Sequence, residues 1–120
     1  MRIFKNTRFA RYVRKEDISD SELKEAVNLL EAGQADANLG GNVYKLRVAR
    51  PNEGKSGGHR VIVLFRSGDK TFYVYGFAKS ERSNISEKEL RGYKKLANSY
   101  FLMTVEQLEA MIKDGQLIEL

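Results

Sequence analysis

An α+β fold is predicted for these 120 residues by two patterns and by the order in which they occur. Three segments open with the same helix-start signature. Between the first and second of them the apolar period changes from helical to alternating. The expected architecture is a twisted antiparallel sheet with helices before and after it: a three-stranded meander plus a short N-terminal edge strand.

Taken in chain order, residues 2–5 fit that edge strand, and residues 7–15 fit a short helix with Phe9, Tyr12 and Val13 inward. Ser19 with Glu22, Ser86 with Glu89 and Thr104 with Gln107 are each a hydroxyl followed three residues later by Glu or Gln. The hydroxyl accepts from a free first-turn N–H while the longer side chain reaches back. Apolar pairs flank each start, Ile18 with Leu23, Ile85 with Leu90 and Met103 with Leu108, at the spacing of a hydrophobic staple. The first helix ends at Gly33 and buries Leu23, Ala26, Val27 and Leu30. The second runs to about Tyr100 with Leu90, Tyr93, Leu96, Ala97 and Tyr100 on one side. The third presents Val105, Leu108, Met111 and Ile112 and stops near Gly115.

Within residues 41–79, Tyr44, Leu46 and Val48 alternate with Lys45, Arg47 and Ala49, so one strand face is apolar and the other basic. Residues 60–65 form a β-branched apolar run suited to a central strand. Ser67-Gly68-Asp69-Lys70 then makes a tight turn into the aromatic and β-branched residues 71–78.

Composition narrows the chemistry. This length suffices for one domain with a modest core, so residues 1–120 are read as one unit with a C-terminal helical extension from about 104. The absence of cysteine removes thiol catalysis, disulfides and cysteine-bound zinc. The one histidine argues against a histidine-built metal site, and no cofactor is expected. No apolar run reaches bilayer-spanning length and no secretion signal is read, so the expected location is cytoplasmic, without a membrane partner. The net charge of +5 is segregated. Residues 1–15 hold six Lys or Arg and no acid, residues 16–40 hold seven acids and one lysine, and residues 41–82 hold nine basic against three acidic groups. One basic face suited to nucleic acid follows from that distribution.

The densest basic cluster is Lys45, Arg47, Arg50, Lys55 and Arg60, with Glu53 the one acid among them. A polyanion is its natural ligand. Residues 49–56, ARPNEGKS, imitate a phosphate-binding loop. Such a loop must open a helix, whereas strand-like sequence follows here, so nucleotide hydrolysis is set aside.

Read in order, Leu39-Gly40-Gly41, Tyr44-Lys45-Leu46-Arg47-Val48-Ala49, Gly54-Lys55-Ser56-Gly57-Gly58-His59-Arg60 and Tyr75-Gly76-Phe77-Ala78-Lys79-Ser80-Glu81 resemble the RelE/HigB-like toxins of bacterial type II toxin–antitoxin systems. The resemblance is closest to the branch with a GKxGG turn and a GFAK strand end, and it covers residues 9 to about 96. It implies a RelE-like fold whose sheet carries a concave basic face. It also implies an endoribonuclease that cleaves ribosome-bound mRNA without a metal, by attack of a ribose 2′-hydroxyl on the adjacent phosphate. An antitoxin, of helix-turn-helix type, would hold it inactive.

That chemistry needs a base, a cation on the phosphorane and an acid for the leaving oxygen. Arg60 takes the place of the family's strand arginine, and a guanidinium fork suits phosphate oxygens. Lys79 matches the basic residue at the end of the last strand and is assigned as proton donor or phosphate clamp. Lys45 is the candidate base or substrate anchor, and the two lysine roles can be exchanged. Arg47, Arg50, Lys55, His59 and Tyr75 are assigned to RNA contact, His59 as a neighbour of the substrate. Tyr73 and Tyr75 alternate along one strand and offer stacking or a phenolic proton, or simply packing. Two other functions compete with the nuclease. One is a ParE-like toxin that inhibits gyrase, the other a non-catalytic RNA-binding or regulatory module.

Overall fold

The computed structural model describes residues 1–48 and 58–120. In chain order these form β1 (Arg2–Asn6), α1 (Thr7–Glu16), α2 (Asp20–Glu31), β2 (Ala37–Gly40), β3 (Val43–Val48), β4 (His59–Phe65), β5 (Lys70–Ala78), α3 (Glu87–Phe101), α4 (Val105–Lys113) and β6 (Leu117–Glu119). The α+β class stands. The sheet has six strands in the order β2-β3-β4-β5-β1-β6, and the expected β3-β4-β5 meander lies at its centre.

The N-terminal strand differs from expectation. β1 is not an edge: it runs parallel to β5, Phe4 opposite Phe72, and antiparallel to β6, Phe4 opposite Glu119. Phe4 is fully buried and stacks on Phe72 at 5.3 Å between ring centroids. Pairing on both sides is what a strand with a buried aromatic at its centre requires. The two strands absent from the sequence-based expectation, β2 and β6, are the four- and three-residue edges of the sheet.

Helices cover both faces. On one side Phe9, Val13, Leu23, Val27 and Leu30 of α1 and α2 pack against Leu46, Val61, Val63 and Tyr73. On the other, Ala97, Phe101 and Leu108 of α3 and α4 pack against Val43, Ile62, Leu64 and Phe72. All seven residues of β4 are buried, as expected of a strand sandwiched between two layers. Burying each of its large aliphatic side chains contributes about 1.5–3 kcal/mol.

The helix starts fall where the side chains dictate. Ser86 and Thr104 form full capping boxes with Glu89 and Gln107. Ser19 accepts from the Glu22 N–H, but its hydroxyl donates to the Glu22 carboxylate at 3.2 Å, in place of the expected reach of Glu22 to the backbone. Asn6 caps α1 by accepting from the Phe9 N–H at 2.8 Å. Val105, expected in the buried stripe of α4, is 65% exposed, because at the first helical position it precedes the turn that meets the core. No helix among the described residues is long and apolar enough to cross a membrane.

A β-bulge in β5 decides which side chains reach which face. Ile62 lies opposite Tyr75 but Val63 lies opposite Tyr73, leaving Val74 as the extra residue. One inserted residue inverts the alternation beyond it. Tyr73 therefore belongs to the layer of α1 and α2, while Tyr75 joins the layer of α3. The two tyrosines do not share a face, contrary to their spacing. Tyr73 is fully buried and donates to the Leu23 carbonyl at 2.6 Å. Burial raises the pKa of its phenol.

Candidate functional site

Strand register brings three of the expected cations onto the α3 side of the sheet. Lys45 pairs with Ile62 and Arg47 with Arg60, and Ile62 belongs to the α3 layer. Arg47 and Arg60 thus face each other across two strands. Like charges directly opposite are destabilising, and part of that repulsion is offset locally. Asp36 lies 3.7 Å from the Arg47 guanidinium, and its carboxylate also accepts from the Arg47 backbone N–H. Arg60 is 8% exposed, whereas the Arg47 side chain is 47% exposed. The pair combines a buried arginine with one open to solvent, an arrangement suited to an anion arriving from outside.

Lys45 is half-buried, and its Nζ donates to Asn84 Oδ1 at 3.3 Å. Asn84 lies in the segment between β5 and α3, and the same segment supplies Arg82. All three nitrogens of that guanidinium are engaged. Nε donates to the Asn84 carbonyl at 2.9 Å, Nη1 and Nη2 grip the two oxygens of Glu89 at 3.1 and 2.7 Å, and Nη1 also donates to the Tyr75 hydroxyl at 3.1 Å. The hydrogen bond from Arg82, followed by that from the Ser86 backbone, holds the Glu89 carboxyl down at about 2. The capping box of α3 and the wall of the basic face therefore share one carboxylate.

Next to this wall is an aromatic–cation cluster. Tyr75 and Phe77 are 5.7 Å apart between centroids, and Tyr93 of α3 lies at 6.4 Å from Tyr75, nearly parallel to it. The Arg82 guanidinium lies 5.6 Å from the Phe77 ring centre, and that of Arg8, from α1, lies 4.4 Å from the Tyr75 ring centre. Phe77 is the register partner of Arg60, which makes the cluster continuous with the Arg47–Arg60 pair.

The other expected residues are placed as follows. Lys79 lies in the exposed turn directly after β5, and among the described residues no hydrogen bond or ion pair joins it to Lys45 or Arg60. Arg50, Lys55 and the loop lookalike at 49–56 lie outside the described residues. His59, the first residue of β4, lies on the opposite face from Arg60 and is 1% exposed. A hydrogen bond of 2.5 Å joins its Nδ1 to the Tyr12 hydroxyl, and the Glu16 carboxylate stands 3.8 Å from the same nitrogen. The structure does not bring His59 together with Arg60; it places His59 beneath the strand that carries Arg60. Strand, not helix, begins at His59, as the rejection of the phosphate-loop reading requires.

Sequence reasoning missed Tyr12, Glu16, Arg8, Arg82 and Asn84. One signal was available for Tyr12. Gly76 is a glycine inside a strand, which marks a close approach, and a Cβ there would lie 2.6 Å from the Tyr12 ring. A family profile described as the RelE toxin of the RelE/RelB toxin–antitoxin system matches residues 1–120. No curated protein matches the chain.

Proposed function

The chain belongs to the RelE toxin family of toxin–antitoxin systems, and from that premise we propose that it is an endoribonuclease that cuts ribosome-bound mRNA in the cytoplasm and is silenced by a cognate antitoxin. Family membership makes it a toxin with an antitoxin partner; the nuclease reading rests above all on Arg47 and Arg60 facing each other beside Lys45. A fold does not place two guanidiniums opposite each other on one face for stability. The pair does match a phosphate that gains charge as it becomes a pentacoordinate phosphorane.

In this mechanism the ribose 2′-oxygen loses its proton and attacks the neighbouring phosphorus, and the P–O5′ bond breaks as the leaving oxygen takes up a proton. The products are a 2′,3′-cyclic phosphate and a 5′-hydroxyl, with no metal needed at any step. Arg60 holds the phosphorane oxygens, and Arg47 guides the backbone in. Lys45, aimed by Asn84, serves as base or substrate anchor, and Lys79 as proton donor or phosphate clamp. Arg50 and Lys55 contact the RNA backbone or the ribosome.

Controlled expression in bacteria with mapping of new RNA 5′ ends tests the proposal. Growth arrest with cuts inside translated codons is the expected result, and Arg60→Ala should slow cleavage about 100- to 1,000-fold, the usual effect of removing one donor to a transition-state oxyanion. Arrest with DNA-damage signals and intact RNA would instead indicate gyrase inhibition, and RNA binding without cleavage a regulatory module. Undiminished cleavage by both Arg60→Ala and Lys79→Ala would overturn the site.

A further inference from the structure

We infer that Arg8, stacked on Tyr75, forms a platform for one unpaired nucleobase beside the scissile phosphate, a subsite that deepens the nuclease reading and rests on it. The two residues come from distant parts of the chain, α1 and β5, and meet with the Arg8 guanidinium 4.4 Å from the centre of the Tyr75 ring. Arg8 is exposed and forms no ion pair among the described residues, so its charge and its outward plane both face solvent.

Everything beneath that plane is fixed. The bulge in β5 turns Tyr75 to this face, Arg82 donates to its hydroxyl at 3.1 Å, and Glu89 holds Arg82 by two hydrogen bonds. Tyr93 lies against Tyr75 at an interplanar angle of 25°. A second guanidinium, that of Arg82, stands 5.8 Å from the same ring centre. Glu89 compensates that charge, whereas the charge of Arg8 remains for a ligand. Unpaired bases stack on arginine planes as they do on aromatic rings, and stacking tolerates any base because each has a π-face. The ligand class is therefore single-stranded RNA. Its phosphate is drawn to Arg47 and Arg60, and a neighbouring base lies on Arg8. Continuity through Phe77, which contacts Arg82 and pairs with Arg60, joins the subsite to the site of the reacting phosphate.

The test is a cycle of protein and RNA changes. A short single-stranded RNA with 2′-O-methyl riboses, which cannot be cut, is titrated against wild type and Arg8→Lys, with an abasic residue moved through the oligonucleotide one position at a time. Arg8→Lys keeps the charge and loses the plane. In the wild type one abasic position should weaken binding about tenfold, the scale of one stacked base. In Arg8→Lys affinity should already be about tenfold lower and indifferent to that position. An equal abasic penalty in both proteins, full affinity in Arg8→Lys, or no binding of the oligonucleotide would each overturn the subsite. Translated mRNA left intact on ribosomes supplied with the protein, while the coupling holds, would refute the nuclease reading and leave the platform standing. Cleavage without coupling would do the reverse.

Discussion

Gly76→Ala should destabilise the fold by about 2–4 kcal/mol, and the reason is the Tyr12 ring. An added Cβ would sit 2.6 Å from both Cδ2 and Cε2 of that ring, a separation that real contacts essentially never show, ordinary van der Waals contact beginning at 3.4 Å. The ring must therefore withdraw by the difference, about 0.8 Å, since β5 is held between β4 and β1. Tyr12 cannot withdraw without cost. Its hydroxyl is bonded to His59 at 2.5 Å, and the two rings meet edge-on at 5.4 Å. Overpacking of this kind costs about 1–3 kcal/mol, and stretching a hydrogen bond to a buried imidazole adds about 1 kcal/mol or more. Urea unfolding of protein made by cell-free synthesis would read the change as a midpoint lowered by roughly 1–2 M. The diagnostic is coupling. In a Tyr12→Ala background the same glycine substitution should cost less than about 0.5 kcal/mol, because the obstructing ring is gone. A small effect in the wild type, or the same cost in both backgrounds, would refute the close-approach explanation of this glycine.

Other consequences can be measured with the same preparations. Because the Glu89 carboxyl titrates at about 2 in the fold against an ordinary 4.5, the unfolded chain binds its proton first as pH falls. Its contribution to stability is complete above about pH 5 and is lost on acidification towards pH 2. Glu89→Gln should flatten that part of a stability–pH curve, and an unchanged curve would remove Arg82–Glu89 as its source. Tyr73→Phe deletes a buried donor to the Leu23 carbonyl and should cost about 1 kcal/mol in urea unfolding without affecting RNA binding. Ser86→Ala removes half of the α3 capping box, with an expected loss of about 1 kcal/mol and weaker RNA binding, since the same turn anchors Arg82.

The local signals in the sequence were strong where side chain and backbone interact within a few residues. The caps of α2, α3 and α4, the meander and the shared face of Lys45 and Arg47 all depend on such spacings. Long-range pairing was not visible in the same way. Nothing in Arg2–Asn6 announces that β1 will lie parallel to β5, and β2 and β6 are too short to display a period. The bulge at Val74 has no marker of its own, yet it separates Tyr73 from Tyr75. The Arg8–Tyr75 stack spans 67 residues and exists only after α1, β5 and α3 have met. The position of Arg60 on the central strand was legible from its neighbours, whereas the Tyr12–His59 contact beneath it required knowledge of which face each strand residue takes.

The position of β1 also governs timing. Its partner β5 ends at Ala78, some 76 residues downstream, and its second neighbour is β6 at 117–119. At ordinary synthesis rates of about 5–20 residues per second, β1 waits roughly 4–15 seconds for a strand to pair with. During that interval its edge is open to other chains. Arg8, directly after β1, cannot reach Tyr75 until the wait is over. A newly made toxin of this architecture thus lacks the Arg8–Tyr75 stack until its sheet closes, and an antitoxin segment that captured the bare strand in that interval would meet its target before the fold is complete.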